Sequence, residues 1–316
     1  MRTHPATLLL DVPPGWSGLW AEPLRDLLPD ATVVVNGQDS YAPETIDYLV
    51  TFRPKPGLIK TLGALKAVFS LGAGVDGIIS DPDYPKDVPL VRFVDHTLAR
   101  EMAQYVVMHV LIHHRSQRHF DAYQAVNKWR QRPPLRRTEE TRIGILGLGE
   151  IGTMCAERLR DLDFAVTGWS RTRKAVRGVE SFAGAGELAP FLAHADILVC
   201  LLPLTDETRG ILNAKTFALM PKGGFVINVA RGGHLIEDDL VAAIDSGHLA
   251  GATLDVFQSE PLPASSPLWN HPRITVTPHV AAITDPTAAA SSVAAGIAAH
   301  QRGDTLENLV DLNRGY

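Results

Sequence analysis

Cysteine is scarce: the chain has two in 316 residues, Cys155 and Cys200, far apart and in apolar surroundings. That excludes the disulfide framework of a small secreted protein and reads as two buried thiols. No run of eighteen apolar residues occurs, so no segment reads as a membrane span. The opening stretch MRTHPATLLLDVPPG has an apolar run too quickly broken by Asp11 and two prolines to read as a signal peptide. A surplus of positive charge is missing as well: 30 Lys and Arg face 35 Asp and Glu, for a net charge of -5. With its cations dispersed, the chain has no electrostatic footprint for nucleic acid. The expectation is a soluble cytoplasmic protein with neither nucleic-acid nor membrane partners.

Apolar residues, in contrast, make up 45% of the chain, ample for a core and for two domains. Short β-prone runs at 7–10, 32–35, 48–52, 65–71 and 91–94 alternate with helical spacing, as at 19–28. That alternation favours α/β layers on a parallel sheet. A single long helix is expected from Leu98 to about Tyr123, followed by a turn-rich boundary, WRQRPP, at 129–134. Beyond Thr141 a regular βα rhythm sets in, with strands at 142–146, 165–168, 197–201, 225–229, 251–255 and 274–277. An alanine-rich helix from Pro286 to Gln301 closes the chain before Gly303. Histidines 109, 113, 114 and 119 crowd the long helix, but no glutamate is placed between them as in a zinc protease motif, so they read as packing or surface residues and no metal site is expected.

Residues 143–152 read IGILGLGEIG: an apolar strand runs into Gly147-x-Gly149-x-x-Gly152 and then a helix-compatible stretch. Gly147 permits the tight turn, Gly149 lets backbone approach a pyrophosphate, and Gly152 lets helix and strand pack closely. The helix start, with Glu150 and Ile151, turns N–H groups toward phosphates. Dinucleotide binding is therefore expected. About one strand later comes GWSRTRK, residues 168–174, where many such folds place an acidic residue on the ribose 2′-hydroxyl. Here Ser170 stands at that point, followed by Arg171, Arg173 and Lys174. A carboxylate would repel a 2′-phosphate, whereas a hydroxyl and an arginine fork suit one, so NADP(H) is preferred to NAD(H).

Three polar residues follow later strand-like runs: Arg231 in NVARGG, Glu260 in DVFQSEPLP and His279 in TPHVA. Carboxyl ends of parallel strands are where open α/β folds bind ligands. A lone histidine after a strand, or a glutamate before a proline, is as readily a structural residue. With a nicotinamide cofactor granted, the three have a joint use. Hydride attack on a carbonyl leaves charge on oxygen, which His279 can protonate. Glu260 can orient the ring and stabilise the imidazolium. Arg231 can clamp a substrate carboxylate with two parallel hydrogen bonds.

With these motifs in view, the chain resembles the D-isomer-specific 2-hydroxyacid dehydrogenases, above all those that reduce glyoxylate and hydroxypyruvate. GLGEIG at 147–152, LLPLTDETRGILN at 201–213, the run 228–257, SEPLP at 259–263 and TPHVAAIT at 277–284 carry the likeness, joined by GAGVD at 72–76 and GWSRTRK. The resemblance implies two Rossmann-like or flavodoxin-like domains with parallel sheets and an active site in the cleft between them. Residues 1–98 and 285–316 would form the substrate domain and 99–284 the NADP-binding domain. It further implies NADPH-dependent reduction of glyoxylate and hydroxypyruvate by a homodimer built on residues 98–130. Leu202 and Pro203 would join the cofactor site, Asp255 would lie near the nicotinamide amide, and the backbone of Ala73, Gly74 and Val75 would receive the substrate carboxylate beside Arg231. At 52–53, where some relatives have tryptophan and histidine, this chain has Phe52 and Arg53: phenylalanine keeps an apolar wall, and the arginine adds a cation that either faces the substrate or points to solvent. A reductase for a bulkier acid such as phenylpyruvate is one alternative, and a non-catalytic dinucleotide sensor another.

Overall fold

The structure, a computed structural model, describes residues 5–131, 136–312 and 314–315; the stretch Met1–His4 and residues 132–134 of the expected turn lie outside the described residues. Two compact units divide the chain: Met1–Leu98 with Thr284–Tyr316, and Ala99–Ile283.

In the first unit, β1 (Thr7–Asp11), β2 (Thr32–Val35), β3 (Tyr48–Thr51), β4 (Ala67–Ser70) and β5 (Leu90–Val91) form one parallel sheet in the order β2-β1-β3-β4-β5. This is the flavodoxin-like order. Side chains alternate across the sheet, and both faces are apolar, as a fully covered parallel sheet demands. Leu8, Leu10, Tyr48 and Val50 pack with Trp20 and Leu24 of α1 (Ser17–Leu27) and with Ala289, Val293 and Ile297 of the closing helix Pro286–Arg302. Leu9, Leu49 and Val68 face the other way, onto Ile59 of α2 (Leu58–Thr61) and Ile78 of α3 (Asp76–Ile79). The closing helix starts where Asp285 accepts from the Ala288 N–H at 2.7 Å, and stops at Gly303 with φ 79°.

The second unit carries α4 (His96–His114) from Ala99 onward, α5 (Gln117–Ala125) and a seven-stranded parallel sheet. Its strands are β6 (Arg142–Leu146), β7 (Ala165–Ser170), β8 (Glu180–Ala183), β9 (Ile197–Cys200), β10 (Gly224–Asn228), β11 (Leu249–Leu254) and β12 (Ile274–Val276). Their order is β12-β11-β10-β9-β6-β7-β8, a Rossmann arrangement that reverses direction between β6 and β9. One face packs Ile143, Ile145, Val199 and Ile227 against α4 and α6 (Glu150–Arg160). The other packs Leu146, Leu198, Val226 and Leu254 against α7 (Leu188–Ala193), α8 (Ala214–Leu219) and α9 (Glu237–Asp245). No helix among the described residues is long and apolar enough to cross a membrane.

Two expectations need correction. The long helix from Leu98 to Tyr123 is two helices, broken at Ser116, whose backbone is left-handed at φ 58° and ψ 31°. The apolar spacing runs on across the break, but the chain turns there through Ser116 N–H to His113 O at 2.9 Å. The strand β8 has no counterpart among the expected elements, because at the sheet edge it is exposed or half-buried throughout and lacks an apolar run. Within α4, His113 packs against the sheet: it stacks on Phe225 at 4.0 Å, and burial pushes its ring down to about 4.

An ion pair ties the amino ends of the central strands. Arg142, first in β6, donates from Nε to Asp196 Oδ2 at 2.9 Å and from its terminal nitrogen to Oδ1 at 2.8 Å. Its backbone N–H adds a bond at 3.0 Å, and Arg136 lies 2.6 Å from Oδ2. Burial by itself would raise the Asp196 carboxyl, but these donors outweigh it and hold the group at about 2. Because the folded value lies below the unfolded one, the stabilisation is complete above about pH 4 and is lost as pH falls through about 2. Asp196→Asn is expected to lower stability by about 2 kcal/mol at neutral pH, with the gap from wild type narrowing as pH falls from about 4 to 2. Urea unfolding across that range measures it, and a gap independent of pH would contradict the linkage.

Candidate active site

The glycine turn joins β6 to α6. Gly147 has φ 105°, and a Cβ there would lie 2.8 Å from Leu201 O, so the turn rests on the backbone leaving β9. At Gly152 a Cβ would overlap the Gly147 carbonyl oxygen. Gly149 is different: a Cβ there would meet no protein atom within 4 Å. The protein's own packing does not require glycine at 149, whereas a phosphate lying close to the backbone would. Helix α6 begins at Glu150, so the first-turn N–H groups of Glu150 and Ile151 open onto that space. Leu202, buried, and Pro203 follow β9 beside the turn.

Ser170 is the last residue of β7, and Arg171 leaves the strand exposed. The Ser170 hydroxyl donates to Thr172 O at 2.8 Å, so it must leave that carbonyl before donating to a ligand. Arg173 is engaged elsewhere: it donates to the carbonyl of Ser181 and pairs with both Glu187 oxygens at 2.6 and 2.8 Å, bracing β8. Lys174 is exposed on the same loop.

Three loops at carboxyl ends of strands carry the polar triplet. After β12, His279 adopts a left-handed backbone at φ 55°, a conformation that costs a non-glycine residue about 1–2 kcal/mol. Its N–H donates to Asp255 O at 2.8 Å, and its Nδ1 stands 2.9 Å from Glu260 Oε2. The other Glu260 oxygen accepts from the Phe257 N–H at 2.9 Å. Burial would raise the Glu260 carboxyl, but the His279 ring and the Phe257 N–H prevail and hold it below the ordinary carboxylate range. With Nδ1 turned to the carboxylate, Nε2 is the ring nitrogen left to exchange a proton with a ligand.

After β10, the Arg231 carbonyl accepts from the Asn228 side chain at 3.0 Å and its N–H donates to His234 Nδ1 at 3.2 Å. On the other side of the ring, His234 Nε2 stands 3.2 Å from Pro203 O and so joins this loop to the one after β9. Gly232 lies so close to the Phe257 carbonyl that a Cβ would overlap it, locking the Arg231 loop to the loop that carries Glu260. Asp255, buried at the end of β11, accepts from Thr277 Oγ1 at 2.6 Å and from the N–H groups of Val280 and Ala281, each at 2.9 Å. The sequence reading passed over Asn228, His234 and Thr277; for Asn228 and Thr277 the available signal was a hydrophilic residue at the end of an apolar strand run.

The remaining residues lie in the first unit. Phe52 follows β3, half-buried, its ring edge-on to Trp20 at 5.1 Å between centroids. The stem of Arg53 lies on Gly77, where a Cβ would come within 2.9 Å of it. Ala73, Gly74 and Val75 form the loop after β4, braced by Ser70 Oγ donating to Gly72 O at 2.9 Å. His96 opens α4. Among the described residues no cluster of histidine, cysteine and carboxylate side chains could hold a metal.

The family model for the D-isomer specific 2-hydroxyacid dehydrogenase NAD-binding domain matches residues 107–281. Glyoxylate/hydroxypyruvate reductase A of Serratia proteamaculans is 44% identical over 307 residues, covering 94% of this chain and 96% of its own. Among solved structures, a D-isomer specific 2-hydroxyacid dehydrogenase from Xanthobacter autotrophicus, in complex with NADPH and MES, superposes with a TM-score of 0.92 at 40% identity, over 99% of this chain and 100% of its own. An NADPH-dependent glyoxylate/hydroxypyruvate reductase from Sinorhizobium meliloti, in complex with NADP and sulfate, gives 0.91 at 38% identity, over 98% and 100%.

The glycines separate two kinds of constraint. Gly232→Ala is expected to lose about 2 kcal/mol or more in urea unfolding, since its Cβ must displace the Phe257 backbone. Gly149→Ala should stay within about 1 kcal/mol of wild type, its Cβ meeting only open space. Equal losses at the two positions would contradict the assignment of Gly149 to a ligand.

Proposed function

The chain belongs to the D-isomer specific 2-hydroxyacid dehydrogenase family, and on that premise we propose that it reduces glyoxylate to glycolate and hydroxypyruvate to D-glycerate with NADPH. The observation that carries the reading is the His279–Glu260 contact of 2.9 Å at the ends of parallel strands. Bound NADPH would supply a hydride. His279 donates the accompanying proton from Nε2 to the carbonyl oxygen as charge grows there, while Glu260 holds Nδ1 and stabilises the imidazolium. Arg231 pairs with the substrate carboxylate, which fixes the carbonyl for attack. In oxidation each role reverses.

The residues present fit the cofactor: Gly147, Gly149, Glu150, Ile151 and Gly152 would hold the pyrophosphate, with Leu202 and Pro203 alongside. Ser170, Arg171 and Lys174 would hold the 2′-phosphate, and Arg173 braces their loop through Glu187. Asp255 has room for one further donor on Oδ2, such as the nicotinamide amide. Phe52, Arg53 and the Ala73–Val75 backbone are the proposed substrate contacts. The exposed apolar side chains of Met108, Phe120, Val126 and Trp129 support a homodimer through residues 98–130, and the two buried thiols suit the cytoplasm.

Initial rates with glyoxylate and hydroxypyruvate, each with NADPH and NADH, test the reading. Turnover of either acid that is much faster with NADPH supports it; no turnover, or faster turnover of phenylpyruvate, contradicts it. His279→Ala is expected to lower kcat about 10²–10⁴-fold with NADPH binding retained; an unchanged rate would remove His279 from the mechanism. Glu260→Gln should begin its loss of reduction at a lower pH than wild type, because the charge facing the ring is gone. Arg171→Ala should raise KM for NADPH far more than for NADH, and equal changes would detach it from the 2′-phosphate.

A further inference from the structure

The mechanism leaves unexplained a partly buried chain of hydroxyls that ends on Asp255. Thr277 Oγ1 donates to Asp255 Oδ1 at 2.6 Å, and the Tyr105 hydroxyl stands 2.6 Å from the same Oγ1. Thr277 has one hydroxyl proton and gives it to the carboxylate, so Tyr105 must be the donor in the second bond. The direction is thereby settled: Tyr105 to Thr277 to Asp255. Burial pushes the Tyr105 hydroxyl up to about 12, so it remains a donor throughout the range in which the enzyme would work.

Both partners are placed by the fold. Tyr105 is 8% exposed on α4, its ring 4.3 Å from that of His109, and His109 lies 3.4 Å from Thr253 Oγ1 on β11. A second tie runs from α5, where Arg118 donates to Thr275 Oγ1 and to Pro272 O. Helices α4 and α5 thus grip β12, the edge strand that leads into His279. At the far end of the chain, Asp255 Oδ1 also accepts from Val280 N–H and Oδ2 from Ala281 N–H, while its backbone oxygen accepts from His279 N–H. The backbone N–H groups of His279, Val280 and Ala281 thus all end on Asp255, and Thr277 shares the oxygen that receives Val280.

We propose that Tyr105 and Thr277 are positioning residues for His279: their hydroxyls orient the Asp255 carboxylate, which holds the 279–281 backbone so that the imidazole meets Glu260 and the substrate oxygen. This rests on the reading of His279 as the proton donor. Removing the inner hydroxyl leaves Asp255 Oδ1 with one donor and frees the carboxylate to rotate away from Val280. Removing the outer one leaves Thr277 free to turn its proton elsewhere. Both changes act on kcat, since neither residue is itself a candidate contact of the cofactor or the substrate.

The test uses the full chain with Thr277→Val, Thr277→Ser, Tyr105→Phe and, alongside them, His279→Ala. NADPH titration by fluorescence counts the competent sites, and kcat is expressed per site, so that a variant folding poorly is not read as slow. Thr277→Val is expected to lose about 10–100-fold in kcat with its NADPH affinity within about threefold of wild type, and Tyr105→Phe about 3–10-fold. Thr277→Ser, which keeps the hydroxyl, should stay within about twofold. Full per-site kcat in Thr277→Val overturns the proposal, and so does a Thr277→Ser enzyme as slow as Thr277→Val. If His279→Ala is slow and Thr277→Val is not, the positioning role alone fails. If His279→Ala keeps the wild-type rate, the proton-donor reading fails and takes this proposal with it.

Discussion

A single buried carboxylate organises the polar end of the second unit. Asp255 is 1% exposed, and no cation offsets its charge among its hydrogen-bond partners, which are one hydroxyl and two backbone N–H groups. A carboxylate can be kept there only if donors replace its water. The loop after β12 supplies them, and in doing so accepts the left-handed backbone at His279. The unfavourable turn and the buried charge stabilise each other, and the histidine ring is delivered to Glu260 as a result. Strain of this kind persists only where surrounding bonds hold it.

Neighbouring loops are fastened by the same economy of backbone contacts. Gly232 lies on the Phe257 carbonyl, His234 reaches Pro203, and Gly147 rests against Leu201. The loops after β6, β9, β10 and β11 are thereby linked in sequence, without depending on long side chains. A parallel sheet that reverses its order between β6 and β9 brings those carboxyl ends side by side, and the crevice there is where such sheets bind ligands.

Much of this was legible in the amino-acid sequence. Apolar runs separated by helical spacing marked ten of the strands in the right places, because buried parallel strands are apolar on both faces, and placed β5 too far along, sharing only Val91 with it. The strand Glu180–Ala183 left no such mark, since an edge strand with exposed side chains has no periodicity to show. The break at Ser116 was equally hidden: a left-handed residue that is not glycine is a matter of tertiary packing, not of propensity. His279 and Glu260 stood out as residue types, and their contact at 2.9 Å is now on view. Tyr105 did not stand out, since a tyrosine in an apolar helix stripe is indistinguishable from core until its hydroxyl is seen to end on Thr277. Arg173, read from its place after the strand as one more cation for a phosphate, also has a partner that the sequence did not point to, Glu187.

The central claim is that His279 and Arg231 converge on one 2-oxo acid, with Glu260 behind the imidazole. A crystal structure of the chain with NADPH and oxamate, an unreactive analogue of a 2-oxo acid, tests it most directly. The account predicts His279 Nε2 within hydrogen-bond distance of the oxygen that stands for the reacting carbonyl, Nδ1 still on Glu260, and both carboxylate oxygens of the analogue facing Arg231. An analogue bound at the nicotinamide with His279 turned away, or with Arg231 out of reach of its carboxylate, would contradict it.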